Sequence, residues 1–135
     1  MKSTKKKISI KNSFFESFTI ESQRLEQKDL PITVAFWISK NFEKIRRESQ
    51  TYFEMKRKIA EKYSVKDGSG KAKIDTRGNY KIKDVSKFVE ELRELQEQEI
   101  EIELDIIKVK LQDLDGIKIT PAEMSCLMPF LEIEE

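Results

Sequence analysis

The densest carboxylates of the chain are Glu97, Glu99, Glu101, Glu103 and Asp105. On an extended strand the last four share one face about 7 Å apart, in reach of a metal ion or an acid/base pair. An amphipathic strand with one solvated acidic face produces the same alternation, and that plainer reading is the stronger. The chain has no histidine. That removes the commonest general base, the Ser–His and Cys–His nucleophile pairs and most zinc sites. The one cysteine, Cys126, sits between Met124 and Leu127 with no adjacent cation to lower its pKa, so it reads as a small buried hydrophobe. Asp67-Gly68-Ser69-Gly70 and Asp75-Thr76-Arg77-Gly78-Asn79 lack the alternating acidic ligands, closed by a Glu, of a calcium loop. Neither follows a buried strand and opens a helix, as a phosphate-cradling loop does. The sequence predicts no enzyme, no metal and no cofactor.

Cations offer a different chemistry. Lys40, Lys44, Arg46, Arg47, Lys56, Arg57, Lys58 and Lys62 fall in one stretch, behind a lysine-rich start, and phosphate contacts need only such groups. Glu43, Glu48, Glu54 and Glu61 interleave with them, and Lys44–Glu48 and Arg57–Glu61 stand at the spacing of helix-surface pairs. No recognised DNA- or RNA-binding motif accompanies them. Residues 1–83 hold 21 Lys and Arg against 10 Asp and Glu, whereas residues 84–135 hold 5 against 15. The net charge of +1 therefore conceals halves of +11 and −10. Either the two halves lie against each other, within one chain or head to tail, or the basic half meets a partner.

A chain of 135 residues makes one domain of ordinary size. With 38% hydrophobic and 38% charged residues, it suits amphipathic helices better than an all-β sandwich. No stretch approaches the ~18 apolar residues of a membrane span, and no signal peptide is visible. The expectation is a cytoplasmic protein without membrane contact.

One long helix over residues 31–64 organises the rest. Its seam reads Ala35, Ile38, Phe42, Ile45, Ser49, Tyr52, Lys56, Ile59 and Tyr63, in steps of three and four that keep one helix face in line. Ser49 and Lys56 interrupt it. At about 1.5 Å per residue such a helix spans roughly 50 Å, long enough for part of it to meet a partner. Before it, residues 2–7 read as a mobile tail leading into a short strand at Ile8 and Ile10, and residues 1–12 are set apart from a domain over 13–135. Ser13 and Glu16 have capping-box spacing for a helix over 14–27 that buries Phe14, Phe18 and Leu25, with Phe15 at the edge. Asp29 is the expected cap of the long helix, Pro31 lies in its first turn, and the two helices should pack antiparallel.

Gly68 and Gly70 stop the long helix, and a β-hairpin follows, with Ala72 and Ile74 paired to Tyr80 and Ile82 around a turn at residues 75–79. Asp84 caps a third helix with Val85, Phe88, Val89, Leu92 and Leu95 at helical spacing. Ile100, Ile102, Leu104 and Ile106 then alternate with acids, and the phase flips at Ile107. Such a flip means a β-bulge or a strand that passes from one packing face to the other. Ile117-Lys118-Ile119 is the expected partner strand. Thr120-Pro121-Ala122-Glu123 opens a C-terminal helix whose expected buried face is Met124, Leu127 and Met128, extending to Leu131. The fold class is thus α+β: an antiparallel helical pair with one long helix, a hairpin, a third helix, a short strand pair and a C-terminal helix. No internal repeat is expected.

From residue 12 onwards the order of segments resembles a small, uncharacterised protein family of phages and prophages of Gram-positive-type bacteria. The resemblance rests on Leu30-Pro31-Ile32-Thr33-Val34-Ala35-Phe36, Ile38-Ser39-Lys40-Asn41 and Lys58-Ile59-Ala60-Glu61-Lys62-Tyr63. It extends through Gly78-Asn79-Tyr80-Lys81-Ile82-Lys83-Asp84 and Leu114-Asp115-Gly116-Ile117-Lys118-Ile119-Thr120-Pro121-Ala122-Glu123-Met124. It implies a viral accessory product acting inside a bacterial host cell and brings no catalytic residue with it. The expected function is non-catalytic binding of a host protein or protein complex, for example as an inhibitor of host defence. Arg46, Arg47, Arg57 and Lys58 would meet an acidic partner, and Ser49 and Lys56 would mark where the seam meets a polar surface. The alternatives are a virion structural or assembly protein that self-associates into a homo-oligomer through the same helix, and a nucleic-acid binder using the basic N-terminal half.

Overall fold

The computed structural model describes residues 3–134. In chain order the elements are β1 (Ser3–Lys11), α1 (Phe14–Glu26), α2 (Ile32–Lys62), α3 (Val85–Glu97), β2 (Glu99–Lys110), a 3₁₀ turn (Leu111–Leu114), α4 (Pro121–Leu127) and β3 (Leu131–Glu134). The architecture is α+β, with helices against a three-stranded sheet of order β1-β2-β3.

The long helix, 31 residues, forms where the seam requires it. Ile38, Phe42, Ile45, Ser49, Tyr52 and Ile59 are all buried, and Ala35, Lys56 and Tyr63 are half-buried. Asp29 does not cap it. Pro31 stands at the N-cap with no side-chain bond, because the extended backbone that a proline cap adopts already ends the helix. Helix α1 packs antiparallel to α2: Glu16 meets Lys56, while ten residues further along α1 Glu26 meets Arg46, ten residues earlier in α2. The rings of Phe18 and Phe42 cross edge to face at 5.1 Å, and Phe42 meets Phe130 at 6.1 Å. The expected capping box of α1 is absent. Ser13 has helical backbone angles and makes no side-chain cap bond, and Glu16 turns instead to α2. The rotation of α1 exchanges two expectations, since Phe15 is buried and Phe14 is the half-buried ring.

Residues 3–7, expected as part of a tail, belong to β1, and Lys2 lies outside the described residues. The β1–β2 register is unbroken from Ser3↔Ile107 to Lys11↔Glu99, so no residue is inserted and there is no bulge. The flip in hydrophobic phase is a change of packing face: Ile102 and Leu104 are buried on one side of β2, Ile107 and Val109 on the other. The same register sets Lys5, Lys7 and Lys11 directly opposite Asp105, Glu103 and Glu99. With Lys28–Glu123, Lys44–Asp105 and Lys62–Glu91, the fold lays much of the basic half against the acidic half.

The C-terminal region departs from expectation. Residues 117–119 form no strand. The second partner of β2 is β3, which runs parallel to it from Ile107↔Leu131 to Lys110↔Glu134. Pro129 cannot donate a helical hydrogen bond, and α4 stops short of it, so the alternating Leu131-Glu132-Ile133-Glu134 is free to pair. Met128 is left exposed, and Phe130 takes its expected place in the core. The caps at Asp84 and Thr120 are as read: their side chains accept from the Lys87 and Glu123 amides at 3.3 and 3.1 Å.

Between α2 and α3 the chain forms a three-cornered ribbon, and it is a repeat. Asp67, Gly70 and Lys73 recur eight residues later as Asp75, Gly78 and Lys81. In each corner the Asp Oδ1 accepts two amides, Ser69 and Lys71 at 2.8 and 3.0 Å, then Arg77 and Asn79 at 2.8 and 3.0 Å. Gly70 and Gly78 have φ of +84° and +83°, the left-handed region that side chains disfavour. The bridges Lys66↔Ala72, Ile74↔Tyr80 and Ser64↔Ile82 are equivalent under the same step. At the centre the amides of Val65, Lys81 and Lys73 donate in a closed ring, to the carbonyls of Lys81, Lys73 and Val65, at 2.7, 3.1 and 2.8 Å. The third corner is where α2 enters and α3 leaves, closed by Lys83 N–H donating to the Tyr63 carbonyl at 2.9 Å. The long helix therefore ends at Lys62, before the glycines expected to stop it.

Candidate functional site

The six residues read as contact points divide into two groups. Ser49 and Lys56 face inward. Ser49 is buried, and its hydroxyl donates to the Arg46 carbonyl within its own helix at 2.7 Å. The Lys56 ammonium donates to Glu16 Oε1 at 2.5 Å, and the Tyr52 hydroxyl donates to the same oxygen at 2.7 Å. Burial alone would raise the Glu16 carboxyl, but the bonds from Lys56 and Tyr52 outweigh it and hold it below its usual value. Burial first, then the bond to Glu16, push the Tyr52 phenol up to about 12. Of the two polar breaks in the seam, Lys56 thus binds α1 to α2, and Ser49 is satisfied within α2.

The other four are exposed. Arg46 pairs with Glu26, Arg47 with Glu43 at 2.6 Å and Arg57 with Glu61 at 2.8 Å. Lys58 makes no ion pair among the described residues. Pairs of this kind are screened by water, so an acidic partner can displace them at small cost.

Arg47 and Lys58 lie on a stripe of exposed residues that begins with Ile32 and Phe36 and continues through Lys40, Glu43 and Glu54. The steps of three, four and seven keep them on one side of the helix over about 39 Å. The N-terminal end of this stripe is apolar. Ile32 is 84% exposed and Phe36 54% exposed. Phe36 and Trp37 pack edge to face at 5.2 Å, and Lys40 Nζ stands 5.1 Å from the Trp37 ring. Ile32, Thr33, Phe36 and Trp37 line a shallow open depression. Sequence reasoning passed over Ile32, Phe36 and Trp37 because it followed the buried seam. Their signal was present as apolar residues of the same helix at positions that the seam does not use.

The acidic alternation of β2 is a solvated face up to Glu103. Glu99, Glu101 and Glu103 are exposed and lie beside the lysines of β1, and Ser9 Oγ donates to Glu99 Oε2 at 3.1 Å. Asp105 is the buried exception. Lys44 Nζ stands 3.0 Å from its Oδ2, and its backbone is held by Asn41. Among the described residues no group of three or more Cys, Asp or Glu side chains is placed to hold a metal ion. Cys126 is fully buried, and burial, then the negative charges of Glu21 and Glu123, push its thiol up to about 11, far from the thiolate a nucleophile requires. No described helix is long and apolar enough to cross a membrane. No protein family, curated protein or solved structure matches the chain.

Proposed function

We propose that this protein works without catalysis, by occupying the surface of another protein through the outer stripe of α2. The observation that carries the reading is the exposure of Ile32 and Phe36 beside Trp37 on a chain whose other large rings are mostly covered. Aromatic anchors of this kind supply most of the energy of protein interfaces, and arginines and lysines around them supply orientation. Arg47 and Lys58 follow on the same side of the helix, with Arg46 and Arg57 adjoining, so the stripe fits a partner with an apolar pocket and an acidic margin. The family resemblance supplies the setting: a phage-encoded accessory product in the bacterial cytoplasm, whose target is a host protein or complex, for example a component of a defence system.

The test is affinity capture from a nuclease-treated bacterial lysate with the tagged protein, run beside the Phe36→Ala/Trp37→Ala variant. A stoichiometric host protein retained by the native chain and lost from the variant is the expected result. Equal recovery with both proteins would move the interface away from the aromatic anchor. Loss of all captured material on nuclease treatment would refute a protein target. Sedimentation of the purified chain completes the test, because a concentration-dependent multimer abolished by the same variant would assign the stripe to a second copy of this chain.

A further inference from the structure

The repeated ribbon between α2 and α3 presents a face that neither the helix stripe nor the core uses. The bridged pairs put Ser64, Lys66, Ala72, Ile74, Tyr80 and Ile82 on one side, where all but Lys66 and Ile74 are buried or half-buried. The Tyr80 hydroxyl donates to Glu61 at the end of α2 at 3.0 Å, which fixes that side as inward. Alternation then sends Lys71, Lys73, Lys81 and Lys83 to the opposite side, and all four are exposed. They surround the closed hydrogen-bond ring of Val65, Lys73 and Lys81, which holds their backbones in place.

Two carboxylates share that side, and both serve the corners. Asp67 and Asp75 each give Oδ1 to two backbone amides. The Asp67 carboxyl is held below its usual value chiefly by the Ser69 hydroxyl and the amides of Ser69 and Lys71, with Lys73 a lesser contributor. No ion pair engages any of the four lysines among the described residues, in contrast to Lys44, Arg46, Arg47, Lys56, Arg57 and Lys62 of the long helix. Most cations of α2 have carboxylate partners within the protein, and Lys66 of the ribbon donates to the Glu61 carbonyl, whereas Lys71, Lys73, Lys81 and Lys83 have no ion-pair partner among the described residues.

We propose that this lysine face binds the phosphate backbone of a nucleic acid, without reading its sequence. The chemistry favours that partner over an acidic protein. The outward side has no aromatic or large exposed apolar anchor, and lysine is depleted from protein interfaces, where such anchors provide the energy. Phosphate contacts need only cations in a fixed array. No exposed aromatic ring stands on the face to stack a base, so the contact is with backbone and the binding is indifferent to sequence.

The experiment is fluorescence anisotropy of the full chain with labelled DNA of arbitrary sequence, duplex and single-stranded, between 50 and 200 mM salt. Four phosphate contacts predict a slope of log affinity against log salt of about −3 to −4, or roughly a hundredfold loss across that range. Lys73→Ala/Lys81→Ala should make the slope shallower by about 2, since each neutralised phosphate contributes about one. Lys73→Arg/Lys81→Arg should retain the native slope, and Arg47→Ala/Lys58→Ala on the helix should leave it unchanged. Two oligonucleotides of unrelated sequence should bind equally. Absence of binding at 50 mM salt would overturn the proposal, as would a slope that the alanine pair does not alter. Competition by polyglutamate as strong as by unlabelled DNA would also overturn it, by reducing the face to a general polyanion binder. Circular dichroism of each variant confirms that the fold is intact.

Discussion

Asn41, a side chain on α2, completes the hydrogen bonding of Asp105, a residue in the middle of β2. Its amide nitrogen donates to the Asp105 carbonyl at 2.8 Å, and its amide oxygen accepts from the Asp105 N–H at 2.8 Å. A neighbouring strand would make the same two bonds. Residue 107 onwards has β3 for that purpose, and at 105 β3 has not begun, so a carboxamide stands in for a strand and fastens the long helix to the sheet. Asn41→Ala should cost about 2–4 kcal/mol, because a buried N–H and C=O each lose their partner. Asn41→Asp should cost no less, since a carboxylate cannot donate to the carbonyl. Chemical denaturation measures both, and a loss under 0.5 kcal/mol for the alanine variant would show that the contact is dispensable.

The contact of α1 with α2 carries its own pH signature. The folded Glu16 carboxyl lies below the ordinary value of 4.5, so its contribution to stability is present above that pH and is lost as pH falls through the lower folded value. Tyr52 has the opposite sign: its phenol rises from 10.0 to about 12, so its contribution is complete below 10.0 and disappears as pH rises through about 12. The stability gap between the native chain and Glu16→Gln should therefore be widest at neutral pH and narrow below 4.5. Tyr52→Phe should abolish the alkaline component and shrink the acid one, since Glu16 then keeps only its bond from Lys56. Denaturant midpoints at a series of pH values read both effects, and a gap for Glu16→Gln that stays constant from pH 7 to 3 would contradict the pairing.

Phe42 is the residue on which the helix pair and the C-terminal segment converge. It is fully buried and meets Phe18 of α1 and Phe130, the residue before β3. Phe42→Ala should cost about 3–5 kcal/mol, from lost burial and from a cavity that three elements cannot close together. Phe42→Leu should lose less. Thermal unfolding distinguishes them, and similar losses for both would mean that shape at this position matters more than volume.

What was legible in the sequence was whatever a single periodicity determines. The steps from Ala35 to Tyr63 fixed the long helix and its buried face because one amphipathic stripe has one solution. Local caps were legible where nothing competed, at Asp84 and Thr120. Ser13 with Glu16 had the same spacing and failed because Glu16 has a better tertiary use in Lys56 and Tyr52. Strand partners were less accessible, since alternation in β2 states that a strand exists but not which segment pairs with it. The free surface was the least legible. Ser49 and Lys56 stood out as departures from an apolar seam, yet both are satisfied inside the chain, while Ile32 and Phe36 conformed to helix composition and proved to be exposed.

The eight-residue repeat was on the page as Asp-x-x-Gly-x-x-Lys written twice, and its physical content is a symmetry that mutation can test. Gly70 and Gly78 occupy equivalent corners with nearly equal positive φ, and no atom stands within 4 Å of where a Cβ would be placed at either. Alanine at either position therefore meets no steric obstacle, only the cost of left-handed backbone, about 1–2 kcal/mol. The two substitutions should destabilise their corners equally, and should do so locally, because the core lies elsewhere. Amide exchange reports this directly. Gly70→Ala should speed exchange at Ser69 and Lys71, Gly78→Ala at Arg77 and Asn79, the amides that Asp67 and Asp75 hold. The central amides of Val65, Lys73 and Lys81 belong to both corners through the closed ring, so either substitution should loosen all three. Exchange that accelerated in one corner and left the ring untouched would mean two independent turns. Loosening of the ring by both would show that the three corners act as one unit.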